Sequence, residues 1–157
     1  PAIILGQALG RSANLLNGDA FGAPTGSSFG ILYPESTLAY HTYGAQALWP
    51  AEVWEGQLDI VIFALLLAFR AYGHARGQCF ALYVMLYSGV RFLLEYFRGD
   101  YTEKYLGLFT SAQTGALAFG LLALAAFVWL GLRKEPERVP ADTHAPEERR
   151  KKGKHRK

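Results

Sequence analysis

QCFALYVMLYSGVRFLLEYFR, residues 78–98, decides how the rest of the chain is read. The stretch is apolar for most of its length, contains no proline, and as a helix is about long enough to cross a bilayer. Its second half nevertheless carries Arg91 and Glu95, with Tyr87 four residues before Arg91. At about 100° per residue these three lie within about 80° of one another, on a single helix face. A charge at membrane depth costs at least about 2.5 kcal/mol, so such residues face protein or water and mark function by default. The alternative is an i, i+4 pair that fixes helix packing or reaches the nearer surface.

The flanking sequence supplies the remaining spans. Residues 53–69 (VWEGQLDIVIFALLLAF) form the first spanning segment and 78–98 the second. Residues 110–132, with GALAFGLLALAAFVWLG uninterrupted by charge, form the third and argue against a soluble enzyme. Gly115 and Gly120 permit close helix packing there. Glu52, Glu55 and Asp59, spaced by three and four, share one face of the first span; either this is a solvated helix start at the interface or the carboxylates face protein. Residues 1–9 read as the end of a helix whose beginning is absent. With Pro rather than Met at position 1, the chain is expected to be processed, truncated or a fragment. Residues 26–50 read as a loop with short extended pieces at the membrane interface, with Tyr40, Tyr43, Trp49 and Trp54 as interfacial aromatics. His41 in that loop reads as a bystander. The single cysteine, Cys79, excludes an intrachain disulfide and reads as a small buried hydrophobe.

Charge is split sharply. Residues 133–157 hold 10 Lys or Arg and 5 Asp or Glu, whereas residues 1–132 hold 6 and 8. The basic balance therefore belongs to a Pro-broken tail with almost no large apolar residues, which is expected to be disordered. It lacks interleaved aromatics, so it reads as a topology anchor rather than a nucleic-acid-binding segment, and no nucleic acid partner is expected. The 70–77 loop is also basic. The positive-inside rule puts both in the cytoplasm, and three alternating spans make the two placements consistent. The domain layout is then a transmembrane unit over 1–132 and a disordered cytoplasmic tail over 133–157.

On the opposite side lies a second polar cluster, GRSANLLNGDAFGAP at 10–24. Arg11, Asn14 and Asn17 are spaced by three, with Asp19 and Gly22 following. A planar guanidinium, carboxamide donors and a close-approach glycine backbone suit a phosphate; an ordinary polar turn region is the competing reading. The second helix runs outward, so Tyr87, Arg91 and Glu95 share a compartment with Arg11, Asn14 and Asp19. Two separate clusters converge on one membrane face, as a site for an anionic lipid headgroup requires. No His, Cys and Asp set has metal-ligand spacing, so no metal is expected.

These residues also carry a family resemblance. GRSANLLNGDAFG at 10–22 is similar to the signature of the prolipoprotein diacylglyceryl transferases, with Arg11, Asn14, Asn17 and Gly22 matching and Asp19 standing where the family usually has Glu. LYSGVRFLLEYFRGD at 86–100 resembles a late family helix bearing Tyr87, Arg91 and Glu95, followed by Phe97 and Arg98. WPAEVWE at 49–55 resembles a segment usually reading His-Pro-Ser/Thr-Gln-Leu-Tyr-Glu; Pro50 and Glu55 match, whereas Trp49, Glu52 and Trp54 do not. The family's N-terminal helices have no counterpart here.

The resemblance implies an all-α polytopic membrane protein with about three transmembrane helices in this stretch, a long extracytoplasmic-side loop region and the disordered basic tail. It implies transfer of the diacylglyceryl group from phosphatidylglycerol to the lipobox cysteine of prolipoproteins, in the bacterial plasma (inner) membrane, without a cofactor. Phosphatidylglycerol, lipobox peptides and membrane lipids are the implied partners. Arg11 is expected to hold the phosphate, with Asn14, Asn17, Asp19 and Gly22 shaping the headgroup pocket. Arg91 is expected to be the catalytic cation, placed by Tyr87 and Glu95, the two guanidiniums meeting on one phosphate. The alternative is a catalytically degenerate relative that binds phospholipid.

Overall fold

The computed structural model describes residues 1–72, 74–99, 104–105 and 108–133. The chain is mostly helical: α1 (Ala2–Asn17), α2 (Leu38–Tyr43), α3 (Ala51–Arg70), α4 (Gln78–Leu94), a 3-10 turn (Glu95–Phe97), a two-residue-strand hairpin of β1 (Lys104–Tyr105) and β2 (Phe109–Thr110), and α5 (Ser111–Leu132).

Four helices make an up-and-down bundle. At one end of α1, Ile4 packs against Ile62 and Leu66 of α3, while further along Arg11 meets Glu55, so α1 and α3 are antiparallel. Leu82 and Tyr83 of α4 join the same apolar core, and Tyr87 reaches Glu55, which makes α4 antiparallel to α3. α5 returns along α4: the Gln113 amide reaches the Phe92 carbonyl near one end, and the Gln78 amide reaches the Phe127 carbonyl at the other. The last turn of α1, the first turns of α3 and α5 and the last turn of α4 thus meet at one end of the bundle.

Two of these helices, residues 78–97 and 111–132, are long and apolar enough to cross a membrane. Their outer faces carry bare apolar side chains, including Leu117, Phe119, Leu121, Leu122 and Leu124 on α5. Exposed apolar side chains on more than one side of a helix suit a bilayer. The inner face of α5 is small: a Cβ on Gly120 would sit 3.1 Å from Ser88 Cβ, and Ala116 and Ala123 are buried beside it. Gly115, expected to serve the same packing, faces open space instead.

Several boundaries differ from the sequence reading. α1 continues through Asn17 rather than ending near Leu9: the segment 10–17 holds no proline, and the helix carries Gly10 within it. It stops at Gly18, which adopts φ 67° and closes the last turn onto the Asn14 and Leu15 carbonyls. The segment 26–50 contains α2, capped by the Thr37 hydroxyl, which accepts from the Tyr40 amide; His41 lies exposed on it. Glu95 falls in the 3-10 turn beyond α4. Thr110 is the N-cap of α5 rather than its first residue, in a capping box with Gln113. Cys79 is half-buried against the bundle core. The tail beyond Arg133 lies outside the described residues, as does most of the 99–107 loop.

Residues 18–50 form a cap over the end where α1, α3 and α4 converge. Phe21, Tyr33, Ala39 and Leu48 make its small core. Backbone bonds join it to the bundle, from the Ala23 amide to the Phe97 carbonyl (2.8 Å) and from the Gly99 amide to the Phe21 carbonyl (3.2 Å).

Candidate functional site

The site begins with the carboxylates of α3. The helix starts at Ala51, with Glu52 in its first turn where the positive end of the helix dipole favours an acid. Spacing of three and four then puts Glu55 and Asp59 on the same face. That face points inward: Glu52 is 0%, Glu55 1% and Asp59 0% exposed. The solvated helix start is therefore excluded, since carboxylates this deep need partners or protons.

Glu55 has the fullest set of partners. Its Oε1 accepts from Arg11 Nη2 of α1 (2.6 Å) and from the Tyr87 hydroxyl of α4 (3.1 Å). Its Oε2 lies 3.6 Å from Nη1 of Arg98, just past the 3-10 turn. Gly56, next along α3, lets α1 approach this closely: a Cβ there would stand 3.2 Å from Arg11 Cβ. Glu52 instead receives the hydroxyl of Tyr33 from the cap. Burial, reinforced by that carboxylate, pushes the Tyr33 phenol well above its ordinary range, so it stays a donor. Both oxygens of Asp59 are buried without a hydrogen-bond partner among the described residues.

Around Arg11 the polar chain continues outward. Arg11 Nη1 donates to Asn14 Oδ1 (3.3 Å), and Asn14 Nδ2 donates to Asp19 Oδ1 (2.6 Å). One helical turn between Arg11 and Asn14, followed by the Gly18 reversal, makes this chain possible. Asn17 points away, exposed and outside the network. Gly22 presents no side chain to a pocket. It is buried where the cap crosses Arg98 and Trp49, and a Cβ on it would lie 2.1 Å from the Trp49 carbonyl oxygen.

Arg91 sits on the α5 side. Its Nη1 is 2.6 Å from Glu95 Oε2 in an ion contact not aligned as a hydrogen bond. The other Glu95 oxygen accepts from the Thr110 hydroxyl (2.7 Å), which ties the pair to the cap of α5. Arg91, Tyr83, Tyr87, Ser88, Gly115 and Phe119 line a cavity of about 420 Å³ between α4 and α5. Arg11 lines a different, smaller cavity of about 150 Å³ between α1 and α3. The two guanidiniums thus stand at one end of the bundle but at separate cavities, so the expectation that both meet on one phosphate is corrected: Tyr87, which lines the larger cavity and bonds Glu55, is what connects them.

Trp49, Trp54 and Phe97 form a three-ring cluster beside this junction, with centroids 5.3–5.7 Å apart. Among the described residues no group of three His, Cys, Asp or Glu is placed to hold a metal ion.

Of the residues the sequence points to, Tyr87, Arg91, Glu95, Arg11, Asn14 and Asp19 lie in polar contacts at this end, whereas Asn17 is exposed and Gly22 packs on the Trp49 backbone. The sequence reading did not place Glu55, Arg98 or Thr110 in the site. The three-and-four spacing of Glu52, Glu55 and Asp59 was the available signal for the first. For Thr110 it was the Thr-x-x-Gln pattern that opens α5.

The family model of prolipoprotein diacylglyceryl transferase matches residues 1–129. The phosphatidylglycerol–prolipoprotein diacylglyceryl transferase of Nostoc sp. is 34% identical over 142 residues, which cover 87% of this chain and 50% of the relative. That of Oceanobacillus iheyensis is 31% identical over 139 residues (86% and 47%). Phosphatidylglycerol–prolipoprotein diacylglyceryl transferase 2 of Streptomyces coelicolor is 36% identical over 134 residues (82% and 40%). The chain spans about half the length of the curated relatives it matches. Since the match runs from Pro1 through most of α5 and takes in the helices that carry Arg11, Glu55 and Arg91, the chain belongs to the prolipoprotein diacylglyceryl transferase family.

Proposed function

We propose that the chain transfers the diacylglyceryl group of phosphatidylglycerol to the lipobox cysteine thiol of prolipoproteins. The observation that carries this reading is the cavity between α4 and α5: one guanidinium and two phenols in otherwise largely apolar walls, beside a buried Arg11–Glu55–Tyr87 junction. A phospholipid has the matching division, with acyl chains for the walls and a phosphate for the cation. The substrates printed in the relatives' names agree with it.

In the reaction a thiol sulfur attacks the glyceryl carbon that bears the phosphodiester oxygen. The carbon–oxygen bond breaks, a thioether forms, the thiol proton is released and glycerol 1-phosphate departs. Negative charge grows on the leaving phosphate, and a fixed cation in a dry site stabilises it most. Arg91 takes that role, oriented by Glu95. Arg11, Asn14 and Asp19 back the site from the α1 side, joined to it through Glu55 and Tyr87. Asn17 and Gly22 act more remotely, Gly22 by seating the cap. The reaction draws on no cofactor.

The protein is read as crossing the bacterial inner membrane three times, α3 being the third span beside α4 and α5. The site faces the extracytoplasmic side and the basic tail the cytoplasm.

The test is transfer of labelled diacylglyceryl from phosphatidylglycerol vesicles to a lipobox peptide. The wild-type chain is expected to transfer label, and Arg91→Ala to lose about 100-fold or more in rate. A wild-type chain that binds phosphatidylglycerol yet transfers nothing overturns the proposal.

A further inference from the structure

Glu55 occupies a place in the site that its own chemistry does not explain. A substrate phosphate is anionic, yet a buried carboxylate stands at the centre of the groups that would receive it. Arg11 from α1 and Tyr87 from α4 share one of its oxygens, at 2.6 and 3.1 Å, and Arg98 stands 3.6 Å from the other. Three separate segments of the chain are therefore registered on a single side chain that is 1% exposed. Arg11 lines one cavity and Tyr87 the other, so the carboxylate is the hydrogen-bonded centre of the link between them.

We propose that Glu55 is a positioning residue for the transfer reaction: it acts as a built-in counter-anion that fixes the Arg11 guanidinium and the Tyr87 hydroxyl relative to each other, and so sets the geometry beside Arg91. The inference rests on the transferase reading above. Its energetic signature is a conflict of sign. The Glu55 charge repels the lipid phosphate, which weakens ground-state binding. Its hydrogen bonds preorganise the donors, which favours turnover. A side chain that only held helices together would change neither quantity in this opposed way.

Glu55→Gln separates the two effects, because the amide keeps the shape and an accepting oxygen but loses the charge. With the full chain in nanodiscs and a lipobox peptide as acceptor, Glu55→Gln is expected to lower kcat by about 10- to 100-fold, the scale of a misplaced catalytic group. KM for phosphatidylglycerol is expected to fall. Glu55→Asp, one methylene shorter, is expected to recover part of kcat. Wild-type kcat in Glu55→Gln, or a raised KM with kcat unchanged, overturns the proposal.

A second measurement reads binding without turnover. Phosphatidylglycerol is titrated into phosphatidylcholine nanodiscs holding wild type or Glu55→Gln, and affinity is expected to tighten by about threefold or more on loss of the like charge. Unchanged or weaker affinity overturns the role assigned to Glu55. A wild-type chain that binds but never transfers overturns the transferase reading instead, and Glu55 is then judged on this binding shift alone. Should Glu55→Gln fail to fold, the Tyr87→Phe and Arg11→Lys variants carry the test: each is expected to cut kcat, and the pair to cut it by less than the product of the single effects. Full multiplicativity overturns the link.

Discussion

At the residue scale, the site is dominated by carboxylates that have no business in an apolar bundle unless something answers them. Glu55 and Glu95 have cations within 2.6 Å, and Glu52 has the Tyr33 hydroxyl. Asp59 has no such partner among the described residues. An unmet buried acceptor costs about 1–3 kcal/mol. Asp59→Asn, which adds donors and removes the need to bury a charge, is therefore expected to leave the thermal midpoint unchanged or higher; a drop reveals a partner that the charge serves. Tyr33→Phe does the reverse, stripping Glu52 of its donor, and is expected to destabilise the fold by about 1–3 kcal/mol in chemical unfolding. The Tyr33 phenol also has a pH consequence. Its pKa is raised in the fold, so the stabilisation is complete below the ordinary phenol value of about 10 and declines as pH climbs beyond it. Unfolding measured between pH 8 and pH 11 is expected to steepen at the alkaline end in wild type, and less so in Tyr33→Phe. These carboxylates were visible in sequence as a three-and-four repeat. Whether they faced water or protein was not, because helical spacing defines a face and says nothing of what covers it.

At the element scale, the seam between α4 and α5 relies on small side chains. Gly120 has Ser88 against it, whereas Gly115 has open space and borders the Arg91 cavity. Gly120→Val is expected to cost about 1–3 kcal/mol by forcing the helices apart. Gly115→Ala is expected to stay within about 0.5 kcal/mol, although a larger residue there fills the cavity and is expected to block lipid entry before it affects folding. Thermal unfolding and lipid titration of the two variants check this. The composition of the third span made both glycines look equivalent; only the relative rotation of two packed helices distinguishes them. The length of α1 has a similar history. Gly10 sits inside it and Gly18 ends it, and nothing local to either residue announces which glycine the helix tolerates. Gly18 terminates because the chain must reverse there to place Asp19 on Asn14, with Thr37 packed so closely that a Cβ would lie 2.4 Å away.

At the scale of the whole molecule, the up-and-down order of four helices gathers the polar groups at one end and leaves Arg70, Gly77 and Arg133 toward the other. If the bundle crosses the membrane as proposed, a cysteine placed at Ser27 in the cap is expected to react with an impermeant thiol reagent from outside intact cells. One placed at Tyr72 is expected to react only after permeabilisation; both are introduced in a Cys79→Ser background. The opposite pattern overturns the orientation. Residue chemistry alone was enough to expect a mostly helical chain with apolar helices of bilayer length, because such runs are properties of composition. The expectation that Arg11, Asn14, Asp19, Tyr87, Arg91 and Glu95 share a side agrees with their meeting at one end of the bundle, where antiparallel packing brings the last part of α1 and of α4 to the start of α3. Tertiary structure alone decided what lies between them. Arg11 and Arg91 stand at different cavities, and Glu55 joins α1 to α4 through one oxygen. Those facts depend on how far each helix is rotated and how closely Gly56 and Gly120 let their neighbours approach. Such distances are set by packing between segments tens of residues apart, and no pattern within a single segment encodes them.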